Sequence, residues 1–230
     1  MNIVIIGAME EEITLLKAQI EHLQTNKVAH LDVFCGSIGE HAVQLVQCGI
    51  GKVASAAATA LLIQAFTPDA VINTGSAGGF DPDLNIGDIV IASQLLHHDV
   101  NVTHFGYELG QVPQMPHYYE SDAALINAAE QAIATLPNVT VKKGLVCSGD
   151  SFIGSDEAAK QIKDTFNNMA AVEMEGAAIG QVCYLMNTPF VVIRSLSDIA
   201  GKTSTMSFDA YLSVAAKNSA NLVLNMLQRL

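Results

Sequence analysis

Two carboxylates stand two residues apart in Val172-Glu173-Met174-Glu175-Gly176, inside an otherwise apolar run from Met169 to Ile179. On an extended strand, positions 173 and 175 face the same way. An unpaired buried carboxylate is among the costliest groups a fold can hold, so the two imply pairing, solvation or chemistry. A second polar group closes the apolar run Phe190-Val191-Val192-Ile193-Arg194-Ser195-Leu196-Ser197-Asp198. Desolvation can raise the pKa of a carboxyl at the end of a buried strand and make it an acid, although a turn or helix-capping aspartate would read the same way. Glu10-Glu11-Glu12 opens a predicted helix, where the dipole favours acids, and the spacing lets one of the three turn back toward a sheet edge. Of the two arginines, Arg194 and Arg229, only the first accompanies these acids, so guanidinium chemistry rests on Arg194.

Other segments carry weaker signals. Gly75-Ser76-Ala77-Gly78-Gly79 reads as a loop whose amides could cradle an anion or a sugar hydroxyl, or simply as a tight turn. It has neither the GxGxxG spacing of a dinucleotide binder nor the GK[ST] of a phosphate loop. His97-His98-Asp99 with His104 matches no zinc spacing, so no metal is expected. Cys35, Cys48, Cys147 and Cys183 are widely separated and read as small hydrophobes of a reducing cytoplasm.

The elements that must position these groups alternate along the whole chain. Strands are predicted at 2–7, 41–48, 70–75, 88–96, 141–148, 170–174 and 189–196, with a weaker one at 28–37. Helices are predicted at 10–23, 52–66, 121–135, 156–166, 175–187 and 207–229. Continuous apolar strands followed by helices indicate one α/β domain over 1–230, with a mixed, mostly parallel central sheet flanked by helices. In such sheets ligands bind beyond the carboxyl ends of strands, which is where the polar groups fall. The irregular stretch 97–120 is long enough to bind something or to pack on a partner.

The 230 residues are 50% hydrophobic and 15% charged, which provides a sizeable core. A formal net charge of −12 disfavours nucleic acid and anionic membrane as partners. No apolar stretch reaches the length of a membrane span, and the opening Asn-Ile-Val-Ile-Ile-Gly reads as a buried strand rather than a leader.

Seven blocks, IGAMEEEI, GIGKVASA (49–56), NTGSAGG (73–79), GDIVIA (87–92), CSGDSFI (147–153), AVEMEGAA (171–178) and RSLSDIAG (194–201), occur in an order that resembles the purine nucleoside phosphorylase and nucleosidase superfamily. Within it the chain is similar to bacterial nucleosidases of 5′-thio-substituted adenosines. The resemblance implies hydrolysis of the N-glycosidic bond, with release of adenine and the thioribose, no cofactor, and a place in methionine salvage. It also implies site roles. Asp198 would protonate adenine N7, with Ser197 orienting it, and Glu12 would be the general base for water, with Ser76 nearby. Glu175 would bind the ribose hydroxyls, Met174 would pack on the sugar, and Glu173 and Arg194 would complete the polar shell. Phe152 would stack on adenine, whose edge the backbone of Ile153 would read, and Ala77 and Gly78 belong to the same binding set. Met9, Ile50 and Phe208 would surround the alkylthio group. Val102, Phe105, Tyr107 and Pro113 would complete that pocket from a neighbouring subunit of a homodimer. Asn101 and His104 depart from the family's HDVDVTAFGY in this segment.

Two magnitudes bear on that chemistry. To serve as an acid near neutral pH, Asp198 must rise roughly three units from about 3.9, equivalent to about 4 kcal/mol against its anion. A phosphate beside Glu12 would meet about 4 kcal/mol of repulsion per charge pair at about 4 Å and an effective dielectric of about 20. Phosphate sites also favour arginine forks, and no arginine precedes Arg194. Water is therefore the expected nucleophile. The alternatives are a phosphate-dependent purine nucleoside phosphorylase, a hydrolase of a futalosine-like nucleoside, and a non-catalytic nucleoside-binding module.

Overall fold

The structure, a computed structural model, describes residues 1–136, 139–166, 168–199 and 204–230. Its strands are β1 (Asn2–Gly7), β2 (Glu21–Val28), β3 (Leu31–Ile38), β4 (His41–Gln47), β5 (Ala70–Gly79), β6 (Ile89–His97), β7 (Tyr119–Glu120), β8 (Val141–Ser148), β9 (Met169–Glu173) and β10 (Phe190–Ile199). The helices are α1 (Glu10–Lys17), α2 (Lys52–Phe66), α3 (Ala123–Ala132), α4 (Asp156–Thr165), α5 (Gly176–Leu185) and α6 (Ser204–Leu227). All strands join one mixed sheet, the architecture expected from the alternating pattern.

Parallel pairings join β1 to β4 and β5, β5 to β10, and β8 to β6 and β9. Antiparallel pairings join β5 to β9 and β10 to β6, and these close a ring through β5, β10, β6, β8 and β9. The β3–β4 and β2–β3 pairs extend the sheet outward from β1. At β1 both faces of the sheet are buried, which explains why that strand is apolar without alternation. Val4 and Ile6 pack with Ala58, Leu62, Ile179 and Cys183 of α2 and α5. Ile3 and Ile5 pack on the other side with Leu16, Leu125, Leu222 and Val223 of α1, α3 and α6.

Three expectations are corrected. The first helix stops at Lys17, not at residue 23, and Glu21–Val28 is an edge strand. That strand, EHLQTNKV, is almost entirely exposed, so it carries no hydrophobic period, and its charges suit an unpaired edge. Gly75–Gly79 is not a loop but the second half of β5, paired with β10 and β9. The glycines there fit a crowded sheet: a Cβ on Gly79 would lie 2.6 Å from Leu196 Cδ1 and 2.8 Å from Ile199 Cδ1 and would push both side chains aside. Finally, Glu173 and Glu175 do not share a strand face, because β9 ends at Glu173 and Glu175 is the N-cap of α5.

Candidate active site

A cavity of about 270 Å³ opens where β1, β5, β9 and β10 end. Ala8, Met9 and Glu12 bound it from the β1–α1 turn, and Ser76, Ala77 and Gly78 from β5. Val172, Glu173, Met174 and Glu175 line it from β9 and its turn, Arg194, Ser197 and Asp198 from β10, and Ile50, Phe152 and Phe208 from its outer edge. Widely separated segments of the sequence thus meet at one site. Ala8 and Val172 were not anticipated, and adjacency to Met9 and Glu173 is the only sequence signal for them. Ile153 is not among the lining residues, and its side chain packs against the buried cluster that contains Phe80, Leu96, Cys147 and Val172. Val102, Phe105, Tyr107 and Pro113 lie on the segment after β6, outside this lining, and Phe105 is 76% exposed.

Glu12 is buried because the start of α1 turns it inward. Its Oε2 accepts the amides of Ala8 at 2.8 Å and Met9 at 3.2 Å, while Oε1 accepts the Ser76 amide at 2.9 Å and its hydroxyl at 3.0 Å. The first two bonds satisfy amides at a helix start, where no intrahelical acceptor exists. Gly75 must lack a side chain, since a Cβ there would lie 2.6 Å from Glu12 Oε1 and 2.5 Å from Arg194 Nη1.

Arg194, only 1% exposed, is held by three acceptors around its Nη2. These are Asn73 Oδ1 at 2.6 Å, Glu173 Oε2, and Glu175 Oε2 at 3.4 Å, while Nη1 donates to the Ser76 carbonyl at 3.3 Å. Burial works against its charge, but Glu173, Glu175 and Glu12 outweigh that and hold it protonated beyond the ordinary range. Glu173 is consumed by structure. Besides Arg194 it accepts the amides of Glu175 at 3.0 Å and Gly176 at 2.8 Å, together with the Ser148 hydroxyl. It therefore fixes the turn that presents Glu175.

Glu175 itself keeps fewer partners. Oε1 accepts the Gly51 amide at 2.9 Å, and Oε2 has the long contact to Arg194. Burial pushes its pKa up to about 7; Glu173 and Glu12 push the same way, while Arg194 and the Gly51 amide pull it back.

Asp198 reaches the cavity through an irregularity in β10. Leu196 pairs with Ala77 and Asp198 with Gly78, leaving Ser197 as an extra residue. In a regular strand, residues 197 and 198 would face opposite sides; the bulge lets both line the cavity. Burial raises Asp198 to about 6, and the Ser197 hydroxyl, donating to Oδ1 at 3.0 Å, opposes the rise. The rise is smaller than the one expected for an acid at neutral pH, because burial alone drives it.

The histidines at the end of β6 have other engagements. His97 Nε2 meets Gln181 Oε1 at 2.9 Å, and the ring of His98 packs over Gly149. Among the described residues no group of three or more His, Cys, Asp or Glu side chains converges as a metal site would require. Among the same residues no helix is long and apolar enough to cross a membrane.

With this geometry in view, the comparisons are specific. The family model of the phosphorylase superfamily matches residues 2–228. A 5′-methylthioadenosine/S-adenosylhomocysteine nucleosidase of Pseudoalteromonas translucida is 53% identical over all of this chain and 98% of its own. A nucleosidase of the same description from Colwellia psychrerythraea, solved in complex with adenine, is 49% identical, with a TM-score of 0.98 over 100% of this chain and 96% of that one. One from Neisseria meningitidis, in complex with methylthio-immucillin-A, is 44% identical, with a TM-score of 0.97 over 100% of this chain and 99% of that one.

Proposed function

The chain belongs to the phosphorylase superfamily, and from that premise we infer that it is an N-glycosyl hydrolase of its 5′-methylthioadenosine/S-adenosylhomocysteine nucleosidase branch. It hydrolyses the bond between adenine and ribose in both nucleosides and releases adenine and the 5-thio-substituted ribose. The reading is carried by one observation. Two buried carboxylates, Glu12 in the first turn of the helix that follows β1 and Asp198 on β10, flank β5, and the one cation among the described lining residues, Arg194, is already spent on Glu173, Glu175 and Asn73. Among the described residues a phosphate nucleophile would find no free cation there, and would face Glu12 instead.

In the proposed reaction the bond between C1′ and N9 breaks with its electron pair passing to the base. Asp198, protonated, delivers its proton to adenine N7 and so neutralises the leaving group. Glu12 takes a proton from the attacking water as its oxygen bonds to C1′; solvent then restores both groups. The transition state resembles an oxocarbenium ion, which the nearby carboxylates stabilise. Glu175 accepts bonds from the ribose hydroxyls, Met174 packs on the sugar, and Phe152 stacks on adenine. Met9, Ile50 and Phe208 offer an apolar surface to the 5′ substituent. An unsubstituted 5′-methyl fits the same surface, so 5′-deoxyadenosine is a proposed third substrate.

We also propose a homodimer of the reducing cytoplasm. Val53 is 81% exposed on α2 and Leu185 60% on α5, and Phe105 on the segment after β6 is also largely exposed. Such side chains favour burial against a second copy, which would bring Val102, Tyr107 and Pro113 to the open end of the cavity. A solution mass of one chain would contradict this.

Asp198→Asn tests the mechanism. Turnover should vanish while a transition-state analogue still binds; normal turnover in this variant would remove the acid from the scheme.

A further inference from the structure

Three segments meet beside the cavity through side chains that the reaction above does not use. Lys52 opens α2, Asp99 follows β6, and Asp150 follows β8. Lys52 Nζ donates to Asp99 Oδ1 at 2.6 Å, the Asp150 amide donates to Asp99 Oδ2 at 3.0 Å, and the Lys52 amide donates to Asp150 Oδ1 at 2.7 Å. A solvated surface pair would need only one ammonium and one oxygen. Here each aspartate also takes a backbone amide from another segment, so the three are locked in register.

What the triangle encloses is Gly51. Its φ of +96° and an Asp150 oxygen 2.9 Å from where its Cβ would stand both require glycine. Without a side chain it cannot cap α2, and Asp150 supplies the missing acceptor. The Gly51 amide, free of the helix, points to Glu175 Oε1 at 2.9 Å. Ile50 and Phe152, next to Gly51 and two residues beyond Asp150, line the cavity.

We infer that the Lys52–Asp99–Asp150 clasp holds the Gly51 amide on Glu175 and thereby sets the geometry and charge of the carboxylate that receives ribose. Asp99 and Asp150 are positioning residues. The inference rests on the reading of Glu175 as the ribose-binding group.

The groups facing Glu175 are the Gly51 amide, Arg194 from β10, Glu173 from β9, Glu12 from α1 and the Cys48 thiol after β4. Removing the amide removes one of the two contacts that lower its pKa, so ionisation moves to higher pH. Productive enzyme needs Glu175 ionised and Asp198, titrating about 6, protonated. Because Glu175, at about 7, titrates above Asp198, the productive form occupies the interval between them. Raising Glu175 lowers that plateau and carries the alkaline limb upward.

The test is kcat/KM against pH for Asp150→Ala, Asp99→Ala, Asp150→Asn and Glu175→Gln, with thermal melting of each. The two alanine variants should lose about tenfold in kcat/KM, short of the roughly 10²-fold that a badly misplaced group can cost. Their alkaline limbs should move up, and Asp150→Asn, which keeps the Oδ1 acceptor, should restore both. Alanine variants with the parent's profile would overturn the inference, as would losses of rate with unmoved limbs. A silent Glu175→Gln would overturn the ribose-binding reading beneath it.

Discussion

Ser76 gives both its amide and its hydroxyl to one oxygen of Glu12, at 2.9 and 3.0 Å, from 64 residues away in the chain. The amides of Ala8 and Met9 hold the other oxygen, so the carboxylate is oriented before substrate arrives. A positioned base is worth about 10²–10⁴ in rate, and Glu12→Gln should lower kcat by that order with little change in analogue binding. Ser76→Ala leaves three of the four bonds and should cost about tenfold, a loss within the range of one hydrogen bond to a charged group. Steady-state adenine release and analogue titration separate the two effects.

Gly75 offers a test that removes no functional group. A Cβ at this position would strike Arg194 and Glu12 together. Gly75→Ala should therefore displace both and lower kcat by up to about 10²-fold, since misplacement near 1 Å has that effect. A variant with the parent's kcat would show that the site tolerates the shift.

Glu173 should behave as a structural residue. It is 7% exposed and serves Arg194, Ser148 and two turn amides. Removing one partner of a buried ion pair costs about 3–5 kcal/mol. For a chain of this size Glu173→Ala should lower the melting temperature by about 10 °C. A melting curve unchanged by the substitution would assign Glu173 to the substrate instead.

The pH profile follows from two opposed requirements. Burial lifts Asp198 to about 6, so its useful proton is present below that value and lost above it. Burial also lifts Glu175 to about 7, so its useful anion is present above that value and lost below it. The expected kcat/KM profile is a narrow bell with limbs near 6 and 7. Because the anion titrates above the acid, only a minority of the free enzyme carries both groups in the working state, and the limbs belong to the pair rather than to either residue. A profile flat from pH 5 to about 9 would contradict these roles.

Much of this was legible in the chain, for identifiable reasons. β1, α2, β8 and the run before Asp198 follow burial on two faces, and local patterning carries that information. β2 was not legible, because an exposed polar edge strand is defined by its partner β3. The second half of β5 looks like a loop in the sequence because its glycines resemble turn chemistry. They are set instead by tertiary crowding against Arg194, Asp198 and Leu196. The resemblance implied the roles of Glu12 and Asp198, but not the bulge at Ser197 that lets Asp198 share the cavity. Nor could spacing reveal that Glu173 is spent on holding the turn. Both depend on bonds between distant segments.

The central claim is that water, not phosphate, is the nucleophile. Its most direct test is the rate of adenine release from 5′-methylthioadenosine, measured first without phosphate and then over rising phosphate concentration. The expected result is full activity without phosphate, no acceleration as it is added, and a free reducing thioribose as product. A rate that vanishes without phosphate, with a ribose 1-phosphate product when it is restored, would contradict the claim.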